Sequence, residues 1–121
     1  MKNKKILVSG GAGFIGSHLT KRLVAEGANV SIIVKYKSII DNVRVSSIWN
    51  DIKVIEADLR NVDSLKQLKD QYFDIVFHLG AQPLRAVAIN DPLPTFDVNI
   101  KGTINVLEAV RLHSPTTQVV V

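Results

Sequence analysis

The chain has 121 residues, 46% of them apolar and 21% charged, with a net charge of +4. That is enough for one domain with a real core and argues against disorder. The absence of cysteine excludes disulfides, thiolate catalysis and Cys-type zinc sites. No apolar run approaches the roughly 18 residues of a membrane span, and no secretory h-region precedes residue 16, so a cytoplasmic protein is the simplest expectation. Lys2, Lys4 and Lys5 are the one basic cluster; without a basic stripe and interleaved aromatics, no nucleic-acid binding is expected.

Lys5–Ser9 is a short, nearly continuous apolar run, typical of a strand covered on both faces. Ile15, Leu19 and Leu23 then recur at helical spacing and predict one face of a helix, which Gly27 ends. Asn29–Val34 reads as a second strand. Residues 35–52 carry only a weak pattern through Ile39, Val43 and Ile48 and predict a loop with a short helix. Residues 53–57 give a third strand and 62–70 a short helix with Leu65 and Leu68 on its apolar side. Residues 74–79 form a fourth strand, and Pro92 and Pro94 punctuate a loop. A helix is expected over 95–112, with Phe96, Ile100, Ile104, Leu107 and Val110 on one face and a second apolar row through Val98 and Val106. Residues 118–121 open a fifth strand, inside which the chain ends.

Strands alternating with helices imply an α/β fold with parallel pairing through right-handed crossovers. The expected architecture is a doubly wound sheet of order 3-2-1-4-5. Ligands of such sheets bind at the carboxyl ends of the strands where the winding reverses, here between strands one and four. Gly10, Gly11, Gly13 and Gly16 stand there, within seven positions. Residues 11–16 fit G-x-G-x-x-G, while Gly10, Gly13 and Gly16 fit G-x-x-G-x-x-G. An early glycine permits the turn out of the strand, Gly13 lets a pyrophosphate approach the backbone, and Gly16 lets the helix pack on the sheet. Free N–H groups and the dipole at the helix start favour phosphate. The three scattered histidines, His18, His78 and His113, point to no metal site, and Asp91 and Asp97 form no convincing acid/base pair.

The stretch SGGAGFIGSHL resembles the glycine motif of the extended short-chain dehydrogenase/reductases, the family of sugar-nucleotide epimerases and dehydratases. Ser9 stands where that motif usually has Thr. The resemblance favours the longer spacing and implies a Rossmann-type domain over residues 1–121, with Gly10, Gly13 and Gly16 at the pyrophosphate of NAD(P). Phe14 and Ile15 would lie along the pyrophosphate mainly through their backbone. An NAD site usually has an acidic residue about 20 positions beyond the glycines; no Asp or Glu occurs from Gly27 to Tyr36. Lys35 and Lys37 supply charge instead, and Ser38 a hydroxyl, which leans towards NADP; solvated loop lysines are the alternative.

The resemblance further implies that Asp58 accepts a hydrogen bond from the adenine amino group while Leu59 packs on the ring. A helix cap near Val62 is the competing role for Asp58. Phe77 to Arg85, FHLGAQPLR, corresponds to the family's His-Leu-Ala-Ala stretch, with Gly80 a departure. Leu79, Gly80 and Ala81 would border the ribose and nicotinamide. Residues 80–111 are similar to sugar-nucleotide 4,6-dehydratases, especially the CDP-glucose type, which places Gln82 and Arg85 on the substrate side. The glycine stretch is closer to the epimerase form, so the reaction stays open between epimerisation and dehydration. Asn99, mid-helix, would bond backbone near the active site, and the long helix is often a dimerisation element in this family, so a homodimer is expected.

The family's catalytic Ser/Thr and Tyr-x-x-x-Lys have no counterpart here. Tyr36 and Tyr72 are the only tyrosines, and Ile40 and Val76 stand four positions on. The expectation is therefore the cofactor-binding part of a longer enzyme for nucleotide-sugar substrates, binding without turnover. The alternative is a stand-alone dinucleotide-binding module or sensor.

Overall fold

A computed structural model describes all residues from Met1 to Val121. Five parallel strands, β1 (Lys5–Ser9), β2 (Asn29–Val34), β3 (Lys53–Glu56), β4 (Ile75–His78) and β5 (Gln118–Val120), form one sheet of order β3-β2-β1-β4-β5. β1 is central, with Leu7 beside Ser31 on β2 and Val76 on β4. Successive strand residues feed opposite faces. Ile6, Val8, Val30 and Ile32 pack with Leu23 of helix α1 (Phe14–Ala25) and with Val45. Leu7, Ile33, Ile55 and Val76 pack on the other face with Leu65, Leu68, Phe73 and Val106. Two buried layers explain why the strands read as apolar runs rather than alternating ones.

Both short connecting helices are present as 3₁₀ segments: Val43–Asp51, kinked at Ile48, and Val62–Leu68, capped by Asn61 Oδ1, which accepts the Asp63 N–H at 3.0 Å. The stretch around the prolines is helical, not a loop: α2 (Arg85–Asn90) and α3 (Pro92–Phe96), with Pro92 in the first turn, where its missing N–H costs nothing. A π turn, Asp97–Lys101, then leads into α4 (Gly102–His113). No helix is long and apolar enough to cross a membrane.

The expected face of α4 needs correction, while on α1 Leu19 and Leu23 pack on the core as expected. On α1 the inward residues are Gly16, Ser17, Thr20 and Leu23, while Ile15 is exposed. On α4 they are Gly102, Asn105, Val106, Ala109 and Val110; Phe96, Ile100, Ile104 and Leu107 are exposed, and of the expected face only Val110 is buried. α4 lies so close to the β3 exit that the contact takes the slim row, and the bulkier apolar row is left outside. A Cβ on Gly102 would stand 3.1 Å from Leu59 Cβ. Thr20 reaches from α1 to donate to the Gly11 carbonyl at 3.0 Å, and Asn105 from α4 to the Leu59 carbonyl at 2.8 Å, so the buried polar groups of these inward rows are paired.

Candidate functional site

At the carboxyl ends of β1, β2, β3 and β4 lies a cleft of about 450 Å³. The turn after β1 forms its centre. Gly10 has φ +69°, a left-handed conformation that side chains resist, and a Cβ there would stand 2.8 Å from Gly80 N. The β1 and β4 exits therefore touch backbone to backbone. A Cβ on Gly16 would run into the Gly10 carbonyl, so α1 starts directly under the turn. Gly13 is different: its φ of −70° is open to any residue, and a Cβ would meet only the Gly10 carbonyl oxygen, at 3.2 Å.

Gly13 is also the N-cap of α1. No side chain caps this end, and no acidic residue lies in the first turn. The Ser17 N–H is the first to find an intrahelical acceptor, the Gly13 carbonyl at 2.9 Å. The N–H groups of Phe14, Ile15 and Gly16 are left for an external acceptor, with the positive end of the helix dipole behind them.

Of the residues singled out in the sequence, Gly10, Gly13, Lys35, Asp58, Leu59, Gly80, Ala81 and Gln82 line the cleft. Phe14, Ile15 and Gly16 stand at the start of α1 behind Gly13, outside the lining, the first two exposed. Lys37 is not brought in; its backbone N–H donates to the Glu56 carboxylate at 2.6 Å. The Leu79 side chain packs into the α1-side core rather than the cleft. Arg85 opens α2, exposed and off the lining. Asn99 lies behind the lining. Its Oδ1 accepts the Gln82 N–H at 2.7 Å and its Nδ2 donates to the Gln82 carbonyl at 3.1 Å.

Asp58 does not cap the following 3₁₀ segment, a role that Asn61 fills. Its carboxylate accepts from Arg60 Nε at 3.0 Å and Nη2 at 2.7 Å, and Oδ1 also accepts the Arg60 N–H at 3.0 Å. This pairing with Arg60 holds the carboxyl at a pKa of about 2, so it is ionised at any working pH.

Sequence reasoning missed Arg44, Arg60 and Asp41, the remaining charged groups of the lining. Lys35 and Arg44 have no ion-pair partner. Arg44 comes from the weakly patterned 35–52 stretch, where no periodicity marks it. Arg60 carried a usable signal, an Asp-x-Arg spacing that closes a local turn. Ile33, Val34, Ala57, Leu59 and Val98 give the cleft its apolar wall. No tyrosine, histidine, serine or threonine lines it. The arrangement is suited to holding an anionic, partly flat ligand: free N–H groups at one end, an apolar wall, and unpaired cations at the β2 side.

Residues 7–121 match the family described as GDP-mannose 4,6 dehydratase. The chain is 30% identical over 119 residues to the CDP-paratose 2-epimerase of Salmonella typhi, covering 96% of this chain and 35% of that protein. It is 37% identical over 117 residues to the GDP-mannose 4,6-dehydratase of Vibrio cholerae, covering 90% and 32%. The structure of the Thermus thermophilus UDP-glucose 4-epimerase in complex with NAD superposes with a TM-score of 0.74 at 33% identity, covering 89% of this chain and 34% of that one. The chain thus spans about a third of the length of the relatives it matches.

Proposed function

The chain belongs to the extended short-chain dehydrogenase/reductase family of sugar-nucleotide epimerases and dehydratases, as its N-terminal, dinucleotide-binding part, and on that premise we propose that the cleft seats NAD(P). The pyrophosphate lies against the N–H groups of residues 14–16. The adenosine half lies between Lys35 and the Asp58–Leu59 turn, and the nicotinamide half runs past Gly80 and Ala81. The observation that carries this is Gly13. Gly10 and Gly16 are required by the protein's own packing, whereas a side chain at Gly13 asks only that the Gly10 carbonyl give by a few tenths of an ångström. The space it leaves is on the cleft side, in front of uncapped N–H groups.

Lys35 and Arg44, unpaired on the β2 side, and the absence of any carboxylate from Gly27 to Tyr36 favour the extra phosphate of NADP. When bound, such a cofactor supplies the hydride acceptor for oxidising a sugar carbinol. The residues of this chain bind and orient it, and Asn99 fixes the Gln82 backbone on the side where the sugar would enter. The groups that would exchange protons with a nucleotide-sugar are not among these 121 residues, so we assign binding without turnover to this chain. In the longer protein we assign epimerisation or dehydration of a nucleotide-linked hexose, carried out by a homodimer.

Calorimetric titration tests the reading. Wild-type chain is expected to bind NADP more tightly than NAD, and Gly13→Ala to weaken both by at least about tenfold while its unfolding free energy changes by no more than about 1 kcal/mol. Tighter binding of NAD overturns the NADP preference. Unchanged affinity in Gly13→Ala overturns the placement of the pyrophosphate.

A further inference from the structure

His78 closes β4 at 6% exposure, and nothing in the cleft's binding chemistry uses its ring. Its Nδ1 lies 2.6 Å from Ser9 Oγ and its Nε2 2.9 Å from Thr103 Oγ1. The outer ends of this chain of bonds fix the direction of every bond in it. Thr103 donates its hydroxyl proton to the Asn99 carbonyl at 2.7 Å, so towards the ring it accepts, and the proton sits on Nε2. Nδ1 is then bare and accepts the Ser9 hydroxyl. Ser9 Oγ in turn accepts the Gly80 N–H at 3.1 Å.

Both ends grip the floor of the cleft. One end holds Gly80, whose backbone is in contact with the Gly10 turn and packed over Leu59; a Cβ on Gly80 would stand 2.6 Å from Leu59 Cδ1. The other end, through Asn99, holds both backbone groups of Gln82. We propose that Ser9, His78 and Thr103 form a positioning relay that sets the cleft floor from Gly80 to Gln82, and that dinucleotide binding requires the His78 ring to be neutral. The proposal rests on the reading of the cleft as a dinucleotide site.

A second ring proton would sit on Nδ1 and point at Ser9 Oγ. The Ser9 hydroxyl would then have to turn away, in a fully buried position with no other acceptor, while still receiving the Gly80 N–H. The ends of β1 and β4 would part, and with them the Gly10–Gly80 contact. No neighbouring charge offsets this. Burial alone lowers the ring's pKa below 6.5. Lys5 on β1, Asp97 and Lys101 in the π turn and Glu108 and Arg111 on α4 make no bond to it; Asp58 and Arg60 beyond β3 are tied to each other, and β5 carries no charged group.

The test is calorimetric titration of NAD⁺ from pH 8 down to about 4.5, low enough to charge a ring whose pKa lies below 6.5, together with NMR of the ¹⁵N-labelled chain. NAD⁺ is the probe because its diphosphate stays fully ionised over this window. Wild-type affinity is expected to fall as the ring charges, by about tenfold for each pH unit below its pKa, which burial puts under 6.5. His78→Asn keeps an acceptor towards Ser9 and has nothing to titrate, so its affinity, whatever its level at pH 8, is expected to be flat. The ring nitrogens should report the Nε2–H tautomer, and the Gly80 amide shift should follow the ring's titration. Wild-type affinity that is flat with pH, or an equal fall in His78→Asn, overturns the relay and leaves the cleft reading standing. Failure of both NAD⁺ and NADP⁺ to bind at any pH overturns the cleft reading. The Gly80 amide then decides the relay alone: a shift that follows the ring supports it, and one that does not overturns it.

Discussion

Gly13 and Gly16 sit three residues apart in one motif, yet a Cβ would stand 3.2 Å from the Gly10 carbonyl oxygen at Gly13 and collide with it at Gly16. The Gly10 carbonyl fills the space under Gly16, so Gly16→Ala must push α1 off the turn. Its expected cost is about 1–3 kcal/mol of unfolding free energy, as for other overpacked sites, measurable by urea denaturation. Stability equal to wild type would show that the turn yields freely. The motif's spacing marks both positions, but which one the fold itself requires depends on where the Gly10 carbonyl points, and that is set by tertiary packing. The charged lining divides in the same way. Lys35 is legible in the sequence because it follows directly from the end of β2. Arg44 is not, since it reaches the cleft only through the fold of a stretch with no period.

Strands can be read nearly to their ends because each is an apolar run between turn residues, and burial on both faces of the central β1 and β2 leaves little ambiguity there. The two long helices can be placed, but the face of α4 cannot. Phe96, Ile100, Ile104 and Leu107 have the bulk that a periodicity argument rewards, yet α4 turns Gly102, Asn105 and Ala109 towards the sheet. A close helix–sheet contact selects for small volume and one well-placed amide, features that a count of apolar residues passes over. Asn105 is accordingly structural. Its Nδ2 donates to the Leu59 carbonyl at the β3 exit, from an 8% exposed position. Asn105→Ala strands that carbonyl without its donor, and thermal or urea unfolding should show a loss of about 1–3 kcal/mol. A change below about 0.5 kcal/mol would mean that water replaces the amide without cost.

At the scale of the whole molecule, the strand order and the position of the cleft follow from the alternation of elements and the handedness of crossovers, so both are legible before any coordinate. Whether and how copies associate is less so, because several apolar surfaces are open, two of them suited to pairing with a second copy. One is the row Phe96, Ile100, Ile104 and Leu107; the other is the outer edge of β5, where Val120 is half exposed. The expected second row does not compete, since Val106 is in the core and Val98 lines the cleft. The helical row is the better interface. It is long and continuous, and a twofold axis across it would set each residue near its own mate, whereas β5 offers only three residues of ladder. On such an axis Ile104→Glu enters twice, as two buried carboxylates facing each other. Light scattering over a concentration series is therefore expected to find dimers for wild type and for Val120→Lys, and monomers for Ile104→Glu. The unfolding free energy of Ile104→Glu, measured at concentrations where wild type is itself monomeric, should stay within about 0.5 kcal/mol of wild type, since the side chain is exposed. Dimers lost in Val120→Lys but kept in Ile104→Glu would move the interface to the sheet edge, and a wild-type monomer at every concentration would remove both.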